Sequence, residues 1–314
     1  MLLRTFARSK VGMGRMALSS LKAKKTGITV NGVEVTVRYI LRAGDIVRLE
    51  IEDLHSSAGV EPFDAPLDII YEDSALLCIN KPPFLAVHPV KKLRGDTLAA
   101  RVTAYLPSPY VFRCATRLDR DTSGVVVISK NRVAASKISG LLALHDGRFK
   151  KKYILIVRGA FPENSEIRGE ISLNIRRVPG NPIKRETIEK KSDIAGSEND
   201  PEGCFALTKY RVLVSVNGYH LVLVNPVTGR THQIRAHFAG IGLLPLGDAL
   251  YGEESRLIGR QALHCLSVSF PHPETGDDVV AVAPVPEDFR VCAEALFGAE
   301  YVKYFSAALN AELN

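Results

Sequence analysis

The stretch Arg117-Leu118-Asp119-Arg120-Asp121-Thr122-Ser123-Gly124 runs directly into the apolar segment Val125–Ser129. A short apolar run rich in β-branched residues predicts a buried strand. The charged residues therefore lie at the mouth of a buried strand, where an unpaired carboxylate would cost free energy. At this stage Asp119 has two interpretations. It belongs either to a salt-bridged turn with the neighbouring arginines or to a site where a carboxylate is held in place for chemistry.

Apolar strands and short turns continue in both directions from this stretch. The pattern predicts strands at Ile69–Tyr71, Ala75–Ile79, Lys151–Gly159, Phe205–Val216, Tyr219–Val224 and Leu263–Phe270, and helices at Asn131–Leu144, Thr231–Ala239 and Glu287–Leu296. Residues 193–202 are polar and contain turn formers, which predicts a surface loop. Many strands with a few helices between them predict an α+β fold, in which helices pack against a mixed sheet.

Positive charge is concentrated near the N-terminus. Residues 1–48 contain ten Lys or Arg residues and two acidic residues, a net charge of +8, and the whole chain carries +7, which leaves −1 for residues 49–314. A basic unit beside a nearly neutral body is typical of a protein that binds a polyanion, although a solvated basic face would have the same composition. Asn31-Gly32 between apolar residues predicts a tight hairpin in this unit.

The basic unit is followed by a change in composition. Residues 52–66 contain Ser, Gly and Pro residues that predict a linker, and the body begins near Leu67. Residues 1–25 contain no acidic residue, so a targeting segment is an alternative interpretation of them. The basic stretch runs straight into the predicted hairpin, however, which argues against its removal.

Composition excludes several classes of protein. With 46% hydrophobic and 24% charged residues, the chain is neither disordered nor a collagen or coiled coil. No apolar run reaches the roughly 18 residues that a membrane span needs, so no membrane partner is expected. The five cysteines lie far apart without a C-x-x-C pair. This spacing argues against a zinc knuckle or a disulfide framework and favours a reducing, cytoplasmic location.

A second charged segment lies at residues 226–237. It carries Arg230, Thr231 and Arg235 near the start and on one side of a predicted short helix. Helix N-termini attract anions, and arginine donates a planar fork to phosphate or carboxylate. The segment therefore predicts an anion site as readily as a capped surface helix.

Two further segments have an uncommon composition. Lys81–Pro89 contains X-Pro steps after an apolar strand, which force an extended, rigid loop. Lys151-Lys152-Tyr153 opens a predicted strand, and its tyrosine is either a core residue or an aromatic face that stacks on a base. His232 and His237 are five residues apart without a thiol or carboxylate to complete a ligand set, and no Walker loop or G-x-S-x-G is present. The sequence therefore predicts no metal site and no nucleotide cofactor.

Together, the four segments resemble the RluA-type pseudouridine synthases. That family carries a K-P-x-G-x-x-x-H-P loop, an H-R-L-D-x-x-T-S-G segment, a K-x-Y strand, and a P-x-T-G-R-x-H-Q-I-R-x-H element followed by G-D-x-x-Y-G. The matching residues here are Lys81-Pro82 with His88-Pro89, Arg117–Gly124, Lys151 with Tyr153, Pro226–His237, Gly247-Asp248, Tyr251-Gly252, Leu263-His264 and Phe270-Pro271-His272-Pro273. Phe84 stands where the family usually has Gly, and Thr116 where it usually has His. Neither departure touches the R-L-D core.

The resemblance implies a fold and an activity. The expected fold is the pseudouridine synthase catalytic domain, a mixed and mostly antiparallel sheet, at residues 67–300. It would be preceded at residues 1–51 by a small αL-like RNA-binding module with a shortened first helix, and followed by a tail at 301–314. The expected activity is isomerisation of uridine in RNA by a monomer without a cofactor. Large-subunit ribosomal RNA is the expected substrate, and transfer RNA is the alternative.

The resemblance also assigns roles to residues. Asp119 would start cleavage of the glycosidic bond, Arg235 would keep that carboxylate charged, and Tyr153 would stack on the target base. The residues expected to contact substrate or RNA are Arg117, which would fill the gap left by the flipped uridine, Ile234, which would pack against the uracil, and Arg230, Thr231, His232, Lys81, His88 and Lys151. In the N-terminal module, the expected RNA contacts are Lys22, Lys24, Lys25 and Arg38.

Two alternatives come from other functional classes. A non-catalytic RNA-binding or ribosome-assembly protein could retain the fold, but it would have no need for an Asp–Arg pair in a pocket. A glycoside hydrolase requires two positioned carboxyl groups, one of them protonated. The arginines beside Asp119 and Asp121 would favour two ionised carboxylates instead, which ranks this alternative last.

Overall fold

Strands dominate the chain, as the sequence predicts. The structure is a computed structural model that describes residues 1–13, 18–19, 21–22, 26–50, 56–89, 95–160, 168–189, 199 and 201–298. Its strands are β1 Ile28–Val30, β2 Val33–Glu34, β3 Val47–Leu49, β4 Ile69–Glu72, β5 Leu76–Lys81, β6 Ser123–Ser129, β7 Lys150–Arg158, β8 Arg168–Ser172, β9 Asn174–Arg177, β10 Arg185–Ile188, β11 Leu207–Val216, β12 Tyr219–Pro226, β13 Leu244–Pro245, β14 Leu263–Pro271 and β15 Asp278–Val282. Its helices are α1 Leu3–Ser9, α2 Leu98–Tyr105, α3 Arg132–Leu144, α4 Gln233–Gly240 and α5 Glu287–Phe297. The predicted tail at 301–314 and most of the predicted loop at 193–202 lie outside the described residues.

The body is built on one mixed sheet. Its strands follow the order β4-β5-β6-β14-β7-β12-β11-β8, with β13 beside β7 and β15 beside β14. Among the described strands of this sheet, β6 and β14 are parallel neighbours and the other pairs are antiparallel. The prediction of an α+β fold with a mixed, mostly antiparallel sheet is confirmed.

Strand β6, which follows the charged stretch, lies inside this sheet. All seven of its residues are buried, as expected for a strand that is covered on both faces. It pairs with β14 over two residues, Ser123 with His264 and Gly124 with Cys265. Gly124 has a φ of 112°, and a β carbon at this position would collide with the carbonyl group of Cys265. Glycine is therefore required where the two strands meet.

Helix α4 begins two residues later than predicted. His232 has a left-handed φ of 55° and lies outside the helix. The side-chain Oε1 of Gln233 accepts hydrogen bonds from the hydroxyl of Thr228 at 2.8 Å and from the backbone N–H of Arg230 at 3.0 Å. Residues 228–232 therefore form a tight turn, which sets Arg235 in the first turn of α4.

The N-terminal residues form a separate small sheet in the order β2-β1-β3. Asn31 and Gly32 have positive φ angles and connect β1 to β2 as the predicted hairpin. Helix α1 has only seven residues, in line with the expected shortened first helix. Residues of α1 and β1 share an apolar cluster with Val133 of α3, so this unit packs against the body.

The described part of the predicted linker, residues 56–66, follows the surface of the body. The Oγ atom of Ser57 accepts a hydrogen bond from the backbone N–H of Phe112 at 2.8 Å. The backbone N–H of Phe63 donates to the carbonyl oxygen of Ala100 at 3.1 Å. These bonds fix the path by which the chain enters the body.

Several elements were not predicted from the sequence. Helix α2 and strands β8, β9, β10, β13 and β15 lie in stretches without a clear apolar period. Strands β9 and β10 pair with each other as a hairpin, and β10 packs beside α4. None of the helices in the described residues is long and apolar enough to cross a membrane.

Candidate active site

The carboxylate of Asp119 contacts the guanidinium of Arg235. Asp119 lies in the loop that leads into β6, and Arg235 lies in the first turn of α4. Arg235 Nη1 donates a hydrogen bond to Asp119 Oδ2 at 2.9 Å. The Asp119 side chain is 26% exposed, and the Arg235 side chain is 8% exposed. One side of the carboxylate is therefore open to solvent while the other is held by a buried cation.

A second carboxylate, Asp248, fixes the position of Arg235. Arg235 donates to it twice, from Nε to Oδ2 at 2.6 Å and from Nη2 to Oδ1 at 2.8 Å. The Asp248 side chain is fully buried and also accepts the backbone N–H groups of Leu250 and Tyr251. Burial opposes the positive charge, but the hydrogen bonds to Asp248 and the charge of Asp119 raise the pKa of Arg235. The guanidinium is thus a permanent cation with one edge left for Asp119.

His232 lies near Oδ1 of Asp119, the carboxylate oxygen that Arg235 does not bond. Its Nδ1 is 3.0 Å from the hydroxyl of Tyr251, which itself accepts the backbone N–H of Arg185 at 2.6 Å. From this pattern we assign the Tyr251 proton to the bond with Nδ1, which leaves the Nε2 proton of His232 facing Asp119 Oδ1 at 3.9 Å. Burial lowers the pKa of His232, and the charge of Asp119 only partly offsets this effect. The imidazole is therefore a neutral donor near neutral pH.

Two further predicted site residues are an aromatic and an aliphatic side chain. Tyr153 on β7 and Ile234 on α4 are both buried. The hydroxyl of Tyr153 is hydrogen-bonded to the thiol of Cys265, and the charge of Asp119 acts on it. Burial raises the pKa of Tyr153 well above its ordinary value, so its hydroxyl keeps its proton. We call these two buried side chains the apolar wall: Ile234 directly precedes Arg235 in α4, and the charge of Asp119 contributes to the raised pKa of Tyr153.

Two buried cations hold the backbone of the loop that carries Asp119. Lys81, at the end of β5, donates from Nζ to the carbonyl oxygens of Pro82, Leu85 and Arg120 at 2.7, 2.9 and 2.9 Å. Burial lowers the pKa of Lys81 to about 7. Arg260, just before β14, donates from Nη1 to the carbonyl oxygen of Asp121 at 3.2 Å and is paired with Asp288. Asp119 therefore sits in a loop that is fixed on both sides.

An open carboxylate beside a fixed cation and an apolar wall can act as a nucleophile or a base toward a flat ring. Residues 75–240 match the family model described as RNA pseudouridylate synthase. This match covers more than half of the chain and includes both members of the Asp119–Arg235 pair. The chain belongs to the RNA pseudouridylate synthase family. It is an RNA pseudouridine synthase, which is an isomerase.

The synthase is similar to known proteins over most of its length. A Bacillus subtilis protein described as uncharacterized RNA pseudouridine synthase YjbO is 34% identical over 284 residues, which cover 89% of this chain and 94% of that protein. The ribosomal large subunit pseudouridine synthase D of Haemophilus ducreyi is 31% identical over 88% of this chain and 85% of that protein. The solved structure of human RNA pseudouridylate synthase domain containing 1 is 27% identical with a TM-score of 0.54, and the match covers 70% of this chain and 84% of that chain.

Some of the predicted RNA contacts of the synthase are exposed. Arg117 is exposed two residues before Asp119, and within the described residues no hydrogen bond or ion pair holds its guanidinium. His88 is also exposed, and its ring makes an edge-to-face contact with that of Phe112, with 4.9 Å between the ring centroids. Partial burial of the imidazole, together with the charge of Arg117, lowers the pKa of His88. In the N-terminal unit, Lys22 and Arg38 are exposed, whereas Lys24 and Lys25 lie outside the described residues.

Other predicted RNA contacts are held inside the synthase. Lys151 is buried beside the carbonyl oxygen of Thr228 at 3.4 Å, and burial lowers its pKa. Arg230 and Thr231 are half-buried, and Arg230 Nε donates to the carbonyl oxygen of Phe205 at 3.0 Å. Lys81 is fully buried on three carbonyl groups. Both lysines are buried without a substrate present, and their contact with RNA stays a prediction.

Sequence reasoning missed three residues of this site. Asp248 and Tyr251 belong to the G-D-x-x-Y-G match, so their motif was visible although no role followed from it. Arg260 gave no signal, because its importance comes from burial and from contact with a loop far away in the sequence. Within the described residues, no three His, Cys, Asp or Glu side chains come together as metal ligands.

Proposed function

We propose that the synthase isomerises uridine in large-subunit ribosomal RNA and that Asp119 starts the reaction. The observation that carries this proposal is the carboxylate of Asp119, open on one side and bonded to the fixed cation of Arg235 on the other. Relatives described as ribosomal large subunit enzymes support the choice of RNA. Family membership and the intact pair favour catalysis over the non-catalytic alternative.

The chemistry is an internal exchange of bonds. The bond between N1 of uracil and C1′ of ribose breaks, the base rotates, and C5 bonds to C1′. The proton on C5 then leaves and N1 gains one, so atoms and electrons balance without an oxidant or a group donor. Asp119 would act as the nucleophile or the base in the first step, and Arg235 would keep its carboxylate charged and oriented.

The other residues would position the base. Tyr153 and Ile234 offer an apolar wall against which the extruded uracil would lie. His232 presents a neutral donor beside Asp119 and could hold a carbonyl oxygen of the ring. Arg117, exposed at the start of the loop, would enter the gap left in the RNA and offset an unstacking cost of roughly a few kcal/mol.

The division of labour along the chain is part of the proposal. Residues 1–51 would form a basic RNA-binding module, residues 52–66 would connect it, and residues 67–300 would carry catalysis. The exposed Lys22 and Arg38 support RNA binding by the first unit. A phosphate-neutralising module of this kind raises affinity without reading sequence.

Asp119→Asn tests the proposal. We expect release of tritium from uridine labelled at C5 to fall at least about 1,000-fold, because loss of a catalytic nucleophile or base leaves only binding and positioning. RNA binding should persist. Asp121→Asn is the matched control, since Asp121 is also a carboxylate of this loop but pairs with Arg120 on the surface. Full activity of Asp119→Asn would overturn the assignment.

The RNA target has a separate test. Pseudouridines are mapped across ribosomal and transfer RNA from cells with and without the gene. A position lost from large-subunit ribosomal RNA supports the proposal, whereas loss confined to transfer RNA replaces it with the alternative. Binding without any lost position would favour an RNA-binding role.

A further inference from the structure

Phe84 has a backbone conformation that is unusual for its residue type. Its φ is 65°, in the left-handed region where a β carbon is unfavourable and glycine is preferred. The residue is also 59% exposed, so burial in an apolar core does not offset the cost of this conformation. Glycine is the usual residue at this place in RluA-type sequences. An exposed aromatic residue kept in a strained conformation suggests a function for the ring.

The loop around Phe84 is held firmly. The carbonyl oxygens of Pro82 and Leu85, on either side of Phe84, accept hydrogen bonds from Lys81. After Phe84, the carbonyl oxygens of Ala86 and Val87 accept the first backbone N–H groups of α2 at 2.8 and 3.0 Å. The ring is therefore presented from a fixed backbone.

Phe84 also lies close to the loop of Asp119. The same Lys81 ammonium that bonds Pro82 and Leu85 bonds the carbonyl oxygen of Arg120 at 2.9 Å. Arg120 follows Asp119 directly, and its side chain is 55% exposed. The charge of Arg117 acts on His88, at the far end of the Phe84 loop. The exposed side chains of these two connected loops include Phe84, Arg117 and Arg120, of which Arg120 is paired with Asp121, and we call these three residues the Phe84 strip.

The composition of the strip matches one kind of partner. An aromatic ring interleaved with cations is the pattern that binds single-stranded nucleic acid, since bases stack on the ring and phosphates pair with the cations. A protein partner would require a wider apolar patch, but Leu85 and Val87 beside Phe84 are buried. Among the described residues next to Phe84 in the loop, the two aliphatic side chains are thus turned away from solvent, and the exposed ring has about the size of one base.

We propose that Phe84 stacks on a nucleobase that neighbours the target uridine in the RNA. This subsite rests on the proposed RNA substrate and extends it by one nucleotide position outside the catalytic pocket. Stacking would hold the flanking strand while the uridine is extruded. It would be tolerant of sequence, because every base has a flat face. Because stacking on the neighbouring base contributes to RNA binding, its loss should raise KM and leave kcat nearly unchanged.

Phe84→Asn separates the ring from the backbone. Asparagine tolerates the left-handed region, so the variant should keep or raise the melting temperature. The substrate is total RNA from cells that lack this gene, labelled with 5-tritiated uridine. Total RNA contains the unmodified target uridine whether ribosomal or transfer RNA carries it. We expect KM to rise about tenfold with kcat within about twofold of wild type, the size of one lost stacking contact. Phe84→Tyr should restore the affinity that Phe84→Asn loses. The control is Val280→Asn, which makes a similar change at an exposed apolar residue of β15.

The assay distinguishes failure of the stacking proposal from failure of the proposed function. An unchanged KM in Phe84→Asn, or an equal loss in Phe84→Tyr, would overturn the stacking proposal while wild-type tritium release stands. Wild-type protein that binds the RNA without releasing tritium would overturn the proposed function instead. In that case the dissociation constants of the same variants for the same RNA decide whether Phe84 stacks.

Discussion

Two carboxylates share Arg235, and their surroundings give them different tasks. Asp248 is fully buried and satisfied by two backbone N–H groups as well as by Arg235. Asp119 makes one hydrogen bond to the same guanidinium and keeps a solvent-facing side. A buried, fully bonded carboxylate is suited to fixing a cation, and an open one is suited to reaction. The guanidinium therefore connects the buried carboxylate of Asp248 with the carboxylate proposed to react.

Asp248→Asn should separate these tasks. The substitution leaves the buried guanidinium of Arg235 with the partly exposed Asp119 as its remaining ion-pair partner, and breaking a buried ion pair costs up to about 3–5 kcal/mol. We expect the free energy of unfolding in urea to fall by about that amount, together with a large loss of kcat. Asp119→Asn, at a partly exposed position, should change stability by less than about 1 kcal/mol. Equal urea midpoints for Asp248→Asn and wild type would show that Asp248 does not carry this role.

Residues with a linear motif were the ones that the sequence could predict. The pairing of Asp119 with Arg235 was implied by the resemblance of their two segments to RluA-type enzymes, and the structure brings the two side chains together. The burial of Lys81 and Lys151 could not be predicted, because a lysine in a motif shows its charge but not its environment. The strain at Phe84 was also invisible, since nothing in the letters reports a positive φ.

At the level of elements, the reactive loop is fixed where strands end. Lys81 comes from the end of β5, Arg260 from the residues before β14, and Ser123 from the start of β6. Ser123 Oγ lies 2.9 Å from Nδ1 of His264 on β14, at the point where β6 and β14 pair. Residues at three strand ends therefore fix the path of the loop, and this loop positions Asp119 although Asp119 does not lie in a helix or a strand.

His264 makes this joint sensitive to acid. Burial, with the nearby charge of Arg260, lowers the pKa of His264 from 6.5 to about 4. Between these pH values the unfolded chain binds a proton that the folded protein does not, so lowering the pH from 6.5 to 4 favours unfolding. Titration of His264 alone lowers the free energy of unfolding by about 3 kcal/mol over this pH range.

His264→Gln tests the acid sensitivity. The variant cannot titrate in this range, so its stability should fall less steeply than that of wild type as the pH is lowered from 6.5 to 4. Urea unfolding at several pH values measures the difference. His237, whose pKa burial also lowers to about 4, provides the comparison, because His237→Gln should flatten the curve in the same direction. Parallel curves for wild type and His264→Gln would contradict the assignment.

Elements with a strong apolar run were predicted well, and polar ones were not. Strand β6 was evident because four consecutive aliphatic residues leave little alternative. Strands β8 to β10 carry many charged side chains, and their pairing comes from tertiary contacts that no local pattern records. The start of α4 was placed two residues early because the side-chain bonds of Gln233 override the helical period.

For the molecule as a whole, charge is divided between two units. The N-terminal unit is strongly basic and the body is nearly neutral, and the two pack together at Val133. The site of Asp119 lies in the neutral body. Under the proposed function, affinity for the RNA backbone and chemistry on the base would belong to different parts of the chain and would be separable by mutation.

A triple variant tests this division. Replacing Lys22, Arg38 and Arg42 by Gln should weaken RNA binding and flatten its dependence on salt by up to about 2 units in the logarithmic slope, the effect of three lost phosphate contacts. The control variant replaces Lys209, Arg256 and Arg290, which are exposed residues of the body, and removes the same charge. Equal slopes in the two variants would mean that the basic unit has no special contact with RNA.

The two-residue pairing of β6 with β14 has a consequence for synthesis of the protein. The strand that follows the Asp119 loop and the strands that lead to Tyr153 and α4 are separated in the sheet by β14, which comes after all of them in the sequence. A nascent chain that stops before residue 263 lacks the strand that brings these halves side by side. We therefore expect a chain truncated before residue 263 to release no tritium from labelled uridine.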